Sequence, residues 1–244
     1  MTLALQLRGV HTHVGAYHLL HGVDLDVPAG QVTMLLGRNG AGKTTTLRTI
    51  MGLWRASAGS ISFRSQRIEA LATPEIALHG IAYVPESMGI FTDLTVRDNI
   101  VLAARSARNE AQLDRDRLGW VLGLFPALKK FWLFPAGKLS GGQKQMLAVA
   151  RAIIEPRELL LIDEPSKGLA PSIINNLISA LRELKAQQTT ILLVEQNFQM
   201  ARALGDQVAV MDDGRVVHSG AMASLADDEG LQQRLLGLSL GVHA

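Results

Sequence analysis

Three short stretches carry the residue types that handling a phosphate requires. In "GRNGAGKTT", residues 37–45, small residues lead into Lys43 and Thr44 with the spacing GxxxxGK[ST]. Glycines at Gly37, Gly40 and Gly42 let the main chain curl so that N–H groups of Asn39, Gly40, Ala41, Gly42, Lys43, Thr44 and Thr45 can face one anion. Lys43 can then reach the β- and γ-phosphates of a nucleotide, and the Thr44 hydroxyl can ligate Mg²⁺. "LLLIDEP" supplies the complement: Asp163, at the tip of an apolar run, is placed to hold the same cation, and Glu164 can accept a proton from an attacking water. Alone, an Asp-Glu pair after a strand reads as a cap or turn; beside a phosphate loop the metal-and-base reading prevails.

The third stretch is "KLSGGQKQMLAVARAII", residues 138–154. Ser140 is a natural N-cap for a long amphipathic helix, which accounts for the serine but gives Gly141 and Gly142 no task. A helix N-terminus with a small, permissive entrance can also touch an anion. One chain already has its phosphate cradle, so Ser140, Gly141 and Gly142 are expected to serve a nucleotide held by another copy or a paralogue.

Such groups need strand tips and helix starts to hold them. "QVTMLLG" reads as a buried strand entering the glycine turn, and "KTTTLRTIMGL" as the helix leaving it. "GIAYVPE", "ELLLIDEP", "TTILLVEQ" and "QVAVMDDG" are further strand-sized runs, and their alternation with helical stretches implies an α/β chain with a mostly parallel, helix-covered sheet. Residues 1–30 alternate as exposed strands and suggest a mainly antiparallel β-subdomain. Strand signals vanish between Pro85 and Lys138, so residues 87–153 read as an inserted helical subdomain, leaving 31–86 and 154–244 as the core of a single 244-residue domain.

Composition narrows the class. Hydrophobic content of 48 % with 19 % charged residues is that of a folded globular protein. Lys and Arg number 24 against 22 Asp and Glu, so net charge argues no nucleic-acid role. Zero cysteines exclude disulfides and thiolate chemistry. The N-terminus has no signal-peptide pattern, and the apolar runs fall far short of the roughly 20 residues a bilayer span needs. Any membrane path is expected to come from another chain.

"GRNGAGKT", "LSGGQ" at Leu139 to Gln143, and "LLLIDEP", in that order, resemble the Walker A, signature and Walker B motifs of ABC transporter ATPase subunits. "VPESMGIF", "KQMLAVARAI", "DEPSKGLAP" and "LLVEQNF" are similar to the branched-chain amino acid uptake subgroup, which includes urea and short-amide relatives. The resemblance covers essentially the whole chain. It implies a P-loop NTPase (RecA-like) core and two cassettes closing head to tail around two ATP molecules. Each site then takes Lys43, Thr44 and Asp163 from one subunit and Ser140, Gly141, Gly142 and Gln143 from the other. It further implies a peripheral subunit on the cytoplasmic face of the cell membrane, bound to permease subunits and indirectly served by a solute-binding protein, as a homodimer or beside a paralogue.

Several positions depart from the commonest pattern of that family. Glu86 stands where most members have Gln, and it is expected either to ligate Mg²⁺ or to serve as a turn residue after Pro85. Gln196 stands at the usual switch histidine; it can donate to a γ-phosphate but cannot shuttle a proton, which leaves Glu164 as the base. Ala170 replaces the usual aspartate in "PSKGLAP", so a subunit contact there relies on main chain and Ser166, with Lys167 nearby; equally, the loop makes no such contact. Val14 falls at the position of the aromatic that stacks on adenine, with Tyr17 slightly downstream; Val14 is the favoured contact and Tyr17 the alternative.

Strand alternation is expected to scatter His11, His13, His18 and His21 across faces without forming a metal site. "FPALKKFWLFPAGK" reads as core of the helical subdomain or as part of a groove for a permease helix. The function expected is an energy-coupling ATPase of solute import. The alternatives are a soluble ABC ATPase uncoupled from transport and a nucleotide-binding regulator without turnover.

Overall fold

In this computed structural model, which describes residues 2–105 and 107–237, β1 (Leu3–Val14) and β2 (Tyr17–Pro28) form an opening hairpin. β3 (Val32–Gly37) feeds the glycine turn and α1 (Lys43–Ile50). β4 (Ala56–Phe63), β5 (Gln66–Arg67), α2 (Thr73–Leu78) and β6 (Ile81–Val84) follow. Helices α3 (Val96–Ala103), α4 (Arg115–Leu124), α5 (Pro126–Lys130) and α6 (Gly141–Ile153) come next, with no strand among the described residues between them. β7 (Leu159–Asp163), α7 (Pro171–Ala186), β8 (Thr190–Val194), α8 (Phe198–Leu204) and β9 (Gln207–Asp212) complete the alternating part. β10 (Arg215–Ala221), α9 (Met222–Asp227) and α10 (Glu229–Leu236) close the described chain.

Two sheets result. One runs β10-β9-β3-β8-β7-β6, parallel except for the β9–β10 hairpin; the other runs β2-β1-β4-β5 and is antiparallel. Every residue of β7 and β8 is buried, because a parallel sheet is covered on both faces. The two-residue period divides these side chains between two cores. Leu35, Leu161 and Leu192 pack with α1 and the antiparallel sheet, while Leu36, Leu160 and Leu193 pack with α3 to α9. This sandwich leaves the carboxyl ends of β3, β6, β7 and β8 side by side, and the loops that leave them carry the chemistry.

The antiparallel sheet is wider than residues 1–30, since β4 from within 31–86 pairs onto β1 and β5 pairs onto β4. The sequence concealed this because β4 is mostly open to solvent and buries only Ile61 and Phe63. The four histidines are not scattered. The β1–β2 register sets His11 opposite His21 and His13 opposite His18, and shifts along that register bring all four rings into one cluster, His13 and His18 exposed and His11 and His21 half-buried. His11 Nδ1 lies 3.0 Å from His18 Nε2, the rings of His13 and His18 stack at 4.0 Å, and His21 lies 4.1 Å from His18.

The segment 125–138 divides by residue. Phe125, Leu128 and Ala136 are core, whereas Leu133 and Phe134 are exposed. Phe125, Pro126 and Ala127 also line a groove of about 730 Å³ beside α7, whose other walls include Trp120, Met146, Asn176 and Glu183; a second groove of about 620 Å³, between α1 and α6, takes none of its lining from this segment.

Candidate functional site

The turn between β3 and α1 is shaped by its glycines: Gly37, Gly40 and Gly42 adopt φ of 145°, 81° and 101°. A Cβ on Gly37 would stand 2.2 Å from the Met211 carbonyl oxygen, so β9 approaches too closely for any side chain. The N-cap of α1 is Gly42, which has no side chain to take up the first-turn N–H groups, the arrangement that suits an anion. Lys43 is 4 % exposed, and its Nζ donates to the carbonyls of Gly37 at 2.9 Å and Arg38 at 3.0 Å.

β7 delivers Asp163 and Glu164 beside this turn. Asp163 is fully buried and accepts from Thr44 Oγ1 at 3.1 Å and from Tyr83 OH at 3.2 Å. Burial pushes its carboxyl upward, against the two hydroxyl hydrogen bonds and with help from the nearby Glu164 and Glu86 charges. Burial likewise pushes the Tyr83 phenol up to about 12. Glu164 sits at φ 46°, held by its N–H donating to Val194 O at 2.9 Å. Its carboxylate lies 3.6 Å from Lys43 Nζ and 3.7 Å from Lys167 Nζ, and accepts from Gln196 Nε2 at 2.7 Å. Residues from β3–α1, β7 and β8 therefore converge on one point.

Glu86, after β6, turns to Lys167 Nζ at 2.5 Å. Ser166 turns its hydroxyl inward: it is 7 % exposed and donates to Glu195 at 2.8 Å. Ala170 precedes α7 as its N-cap residue, with Pro171 opening the helix. Val14 is half-buried and pairs with Tyr17 across the hairpin turn, whereas Tyr17 is 76 % exposed.

At the start of α6, Ser140 Oγ accepts from Gln143 N at 3.3 Å while Gln143 Oε1 accepts from Ser140 N at 2.9 Å, a reciprocal capping box. Gly142 does have a structural task, contrary to the sequence expectation, since a Cβ there would stand 2.6 Å from Ile173 Cγ2 of α7. Gly141 faces open space and is exposed with Ser140.

The donor set fits Mg²⁺. Among the described residues Asp163 is a buried carboxylate with hydroxyl partners and no cationic side chain paired to it, and with Thr44 it offers the hard oxygens this ion prefers. Among the described residues no three His, Asp or Glu side chains form a metal-binding group, so a cation here would complete its shell from phosphate and water. Sequence reasoning missed Tyr83 and Glu195. Their signal was position: Tyr83 is the last residue but one of β6 and Glu195 directly follows β8, both at the carboxyl ends of strands whose neighbouring loops carry the chemistry.

Comparison with known proteins places these motifs in context. The profile of the family described as "ABC transporter" matches residues 20–167. The "High-affinity branched-chain amino acid transport ATP-binding protein BraG" of Pseudomonas aeruginosa is 38 % identical over 229 residues, 93 % of this chain and 97 % of that one. A "Probable branched-chain amino acid transport ATP-binding protein LivF" of Archaeoglobus fulgidus is 34 % identical, over 95 % of this chain and 99 % of that one. A solved "ATP binding subunit of ABC transporter" superposes with a TM-score of 0.81 at 31 % identity, covering 97 % of each chain.

Proposed function

This chain belongs to the ABC transporter family of ATP-binding proteins, and from that premise we propose that it hydrolyses ATP to drive import of branched-chain amino acids, or of a related amide or urea. Two cassettes would pair head to tail and dock on permease subunits at the cytoplasmic face of the membrane, with a solute-binding protein acting upstream. No helix among the described residues is long and apolar enough to cross a membrane, so the path for solute belongs to partner chains.

The observation that carries this reading is the convergence of Lys43, Asp163, Glu164 and Gln196 on the glycine turn of residues 37–45 at the start of α1. The N–H groups of that turn and Lys43 would hold the β- and γ-phosphates, and Thr44 and Asp163 would hold Mg²⁺. When bound, that cation offsets charge on the phosphate oxygens. Glu164 takes the proton of a water as its oxygen bonds to the γ-phosphorus and the bond to the β–γ bridging oxygen breaks, giving ADP and phosphate. Gln196, already bonded to Glu164, orients water or γ-phosphate by donating its amide. Glu86 reaches the metal only by leaving Lys167. Ser140, Gly141 and Gln143 of a second subunit would close the far side of the triphosphate, with Gly142 setting the approach of α7. Tyr17 offers the free aromatic face for adenine, and Val14 an apolar edge beside it.

The test is Glu164→Gln. With Mg²⁺ and ATP the variant should elute as a dimer, alone or with a paralogous cassette, and lose turnover. Near-normal turnover would remove Glu164 as the base, and a variant that stays monomeric beside every candidate partner would remove the shared-site reading.

A further inference from the structure

Glu195 follows β8 directly and is 1 % exposed, yet no lysine or arginine pairs with it among the described residues. A buried carboxylate held only by dipoles is costly, and proteins keep one where its geometry is needed. Its oxygens are fully engaged. Oε1 accepts from Ser166 N at 2.9 Å, and Oε2 accepts from Ser166 Oγ at 2.8 Å, Gln196 N at 3.1 Å and Asn197 N at 3.2 Å. These four donors come from two loops, the one leaving β7 and the one leaving β8. Two residues before Ser166 stands Glu164, and directly after Glu195 stands Gln196, whose side chains meet at 2.7 Å.

We propose that Glu195 is a positioning residue that clamps the loop after β7 to the loop after β8, holding Gln196 against Glu164 and making both follow Ser166. This rests on the ATPase reading above. Residues 166–170 then act as a lever: displacement of that loop at the face of a second cassette drags Gln196 and Glu164 out of register together. The clamp needs a carboxylate because all four groups around it are donors. An amide in its place accepts with one end only and turns N–H against N–H at the other.

Glu195→Gln preserves volume and removes a buried charge, so the fold should survive while the loops lose registry. The expected result is a kcat lower by about tenfold to a hundredfold, the cost of a small misplacement at a reacting centre. KM for ATP and ADP affinity should stay within about twofold, because the phosphate cradle of residues 37–45 is untouched. Ser166→Ala should lower kcat in the same way, Ser166→Thr should restore it, and the double variant should be no slower than Glu195→Gln alone. A kcat unchanged in Glu195→Gln, or additive losses in the double variant, overturns the proposal, as does kcat falling in proportion with nucleotide affinity. Should Glu195→Gln fail to fold, Ser166→Ala decides, and wild-type kcat in that variant overturns the clamp. Absence of ATP turnover in the unsubstituted chain assembled with its partners would instead overturn the ATPase reading itself.

Discussion

Asp163→Asn should make the nucleotide-free chain more stable while abolishing its use of Mg²⁺. Asp163 is fully buried, and both of its partners are hydroxyls, Thr44 and Tyr83. Hydroxyls donate or accept, so asparagine can retain both contacts, one at its carbonyl and one at its amide. What disappears is the desolvated charge and its repulsion from Glu164 and Glu86. Recovering even the low end of a buried charge's cost gives about 1 kcal/mol, or a melting temperature higher by about 2–4 °C in a domain of this size. The pH dependence fixes the cause. Folding raises the carboxyl above its ordinary 3.8, so the folded chain holds that proton more tightly, and stability falls as pH climbs from 3.8 through the folded value. The advantage of the variant is therefore complete at neutral pH, shrinks on acidification and is gone below 3.8. Glu195 is also shifted upward by burial, but it is common to both chains and cancels in their difference. Calorimetric melts in chelator, at neutral and at mildly acidic pH, measure the gain directly. A variant that melts lower than the unsubstituted chain at neutral pH, or a gain that ignores pH, would refute the assignment of Asp163 as the desolvated anion. Added Mg²⁺ should raise the melting temperature of the ATP-bound unsubstituted chain and leave that of the variant unmoved.

Tyr17→Ala should weaken ATP binding by at least about fivefold, since stacking one base on an aromatic ring is worth about 1–3 kcal/mol. Val14→Ala should change it by less than about twofold, and titration calorimetry with the reverse ranking would move the adenine contact to Val14. Lys167→Ala releases Glu86 from an exposed pair, so half-maximal ATPase activation should need less Mg²⁺, by no more than about fivefold. The same substitution made on Glu86→Gln should have no effect on Mg²⁺ demand; an equal effect there would mean that Lys167 acts through some other group.

The central strands and phosphate-handling loops were legible because both are contiguous in the chain. Leu159–Asp163 is a continuous apolar run ending in a carboxylate, the pattern of a parallel strand covered on both faces. What stayed hidden depends on which strands are neighbours. Tyr83 meets Asp163, and Lys167 meets Glu86, because β6 lies beside β7; Ser166 meets Glu195 because β7 lies beside β8 with Asp163 opposite Val194. None of these adjacencies is carried by local spacing. The histidine cluster was lost for a related reason: alternation assigns faces within one strand, while register shifts between β1 and β2 decide which residues meet across them. Gly142 was misjudged because its neighbour, Ile173, is distant in sequence and belongs to another helix.

Each polar side chain of the site has a partner within the protein. Lys43 bonds to the carbonyls of its own loop, Thr44 to Asp163, Gln196 to Glu164, and Glu86 to Lys167. Nucleotide binding then exchanges partners instead of ordering free side chains, so little rotamer entropy is lost when the triphosphate arrives. Glu164 shows the other half of the arrangement. Its left-handed φ of 46° is unfavourable for a residue with a side chain, and it persists because β8 holds its N–H and three neighbours surround its carboxylate. Two of those neighbours, Lys43 and Gln196, are the groups a γ-phosphate would draw away. Loading the site thus withdraws partners from the base at the moment it must accept a proton, and Lys167, the main-chain bond to Val194 and the Glu195 clamp remain to keep it aimed.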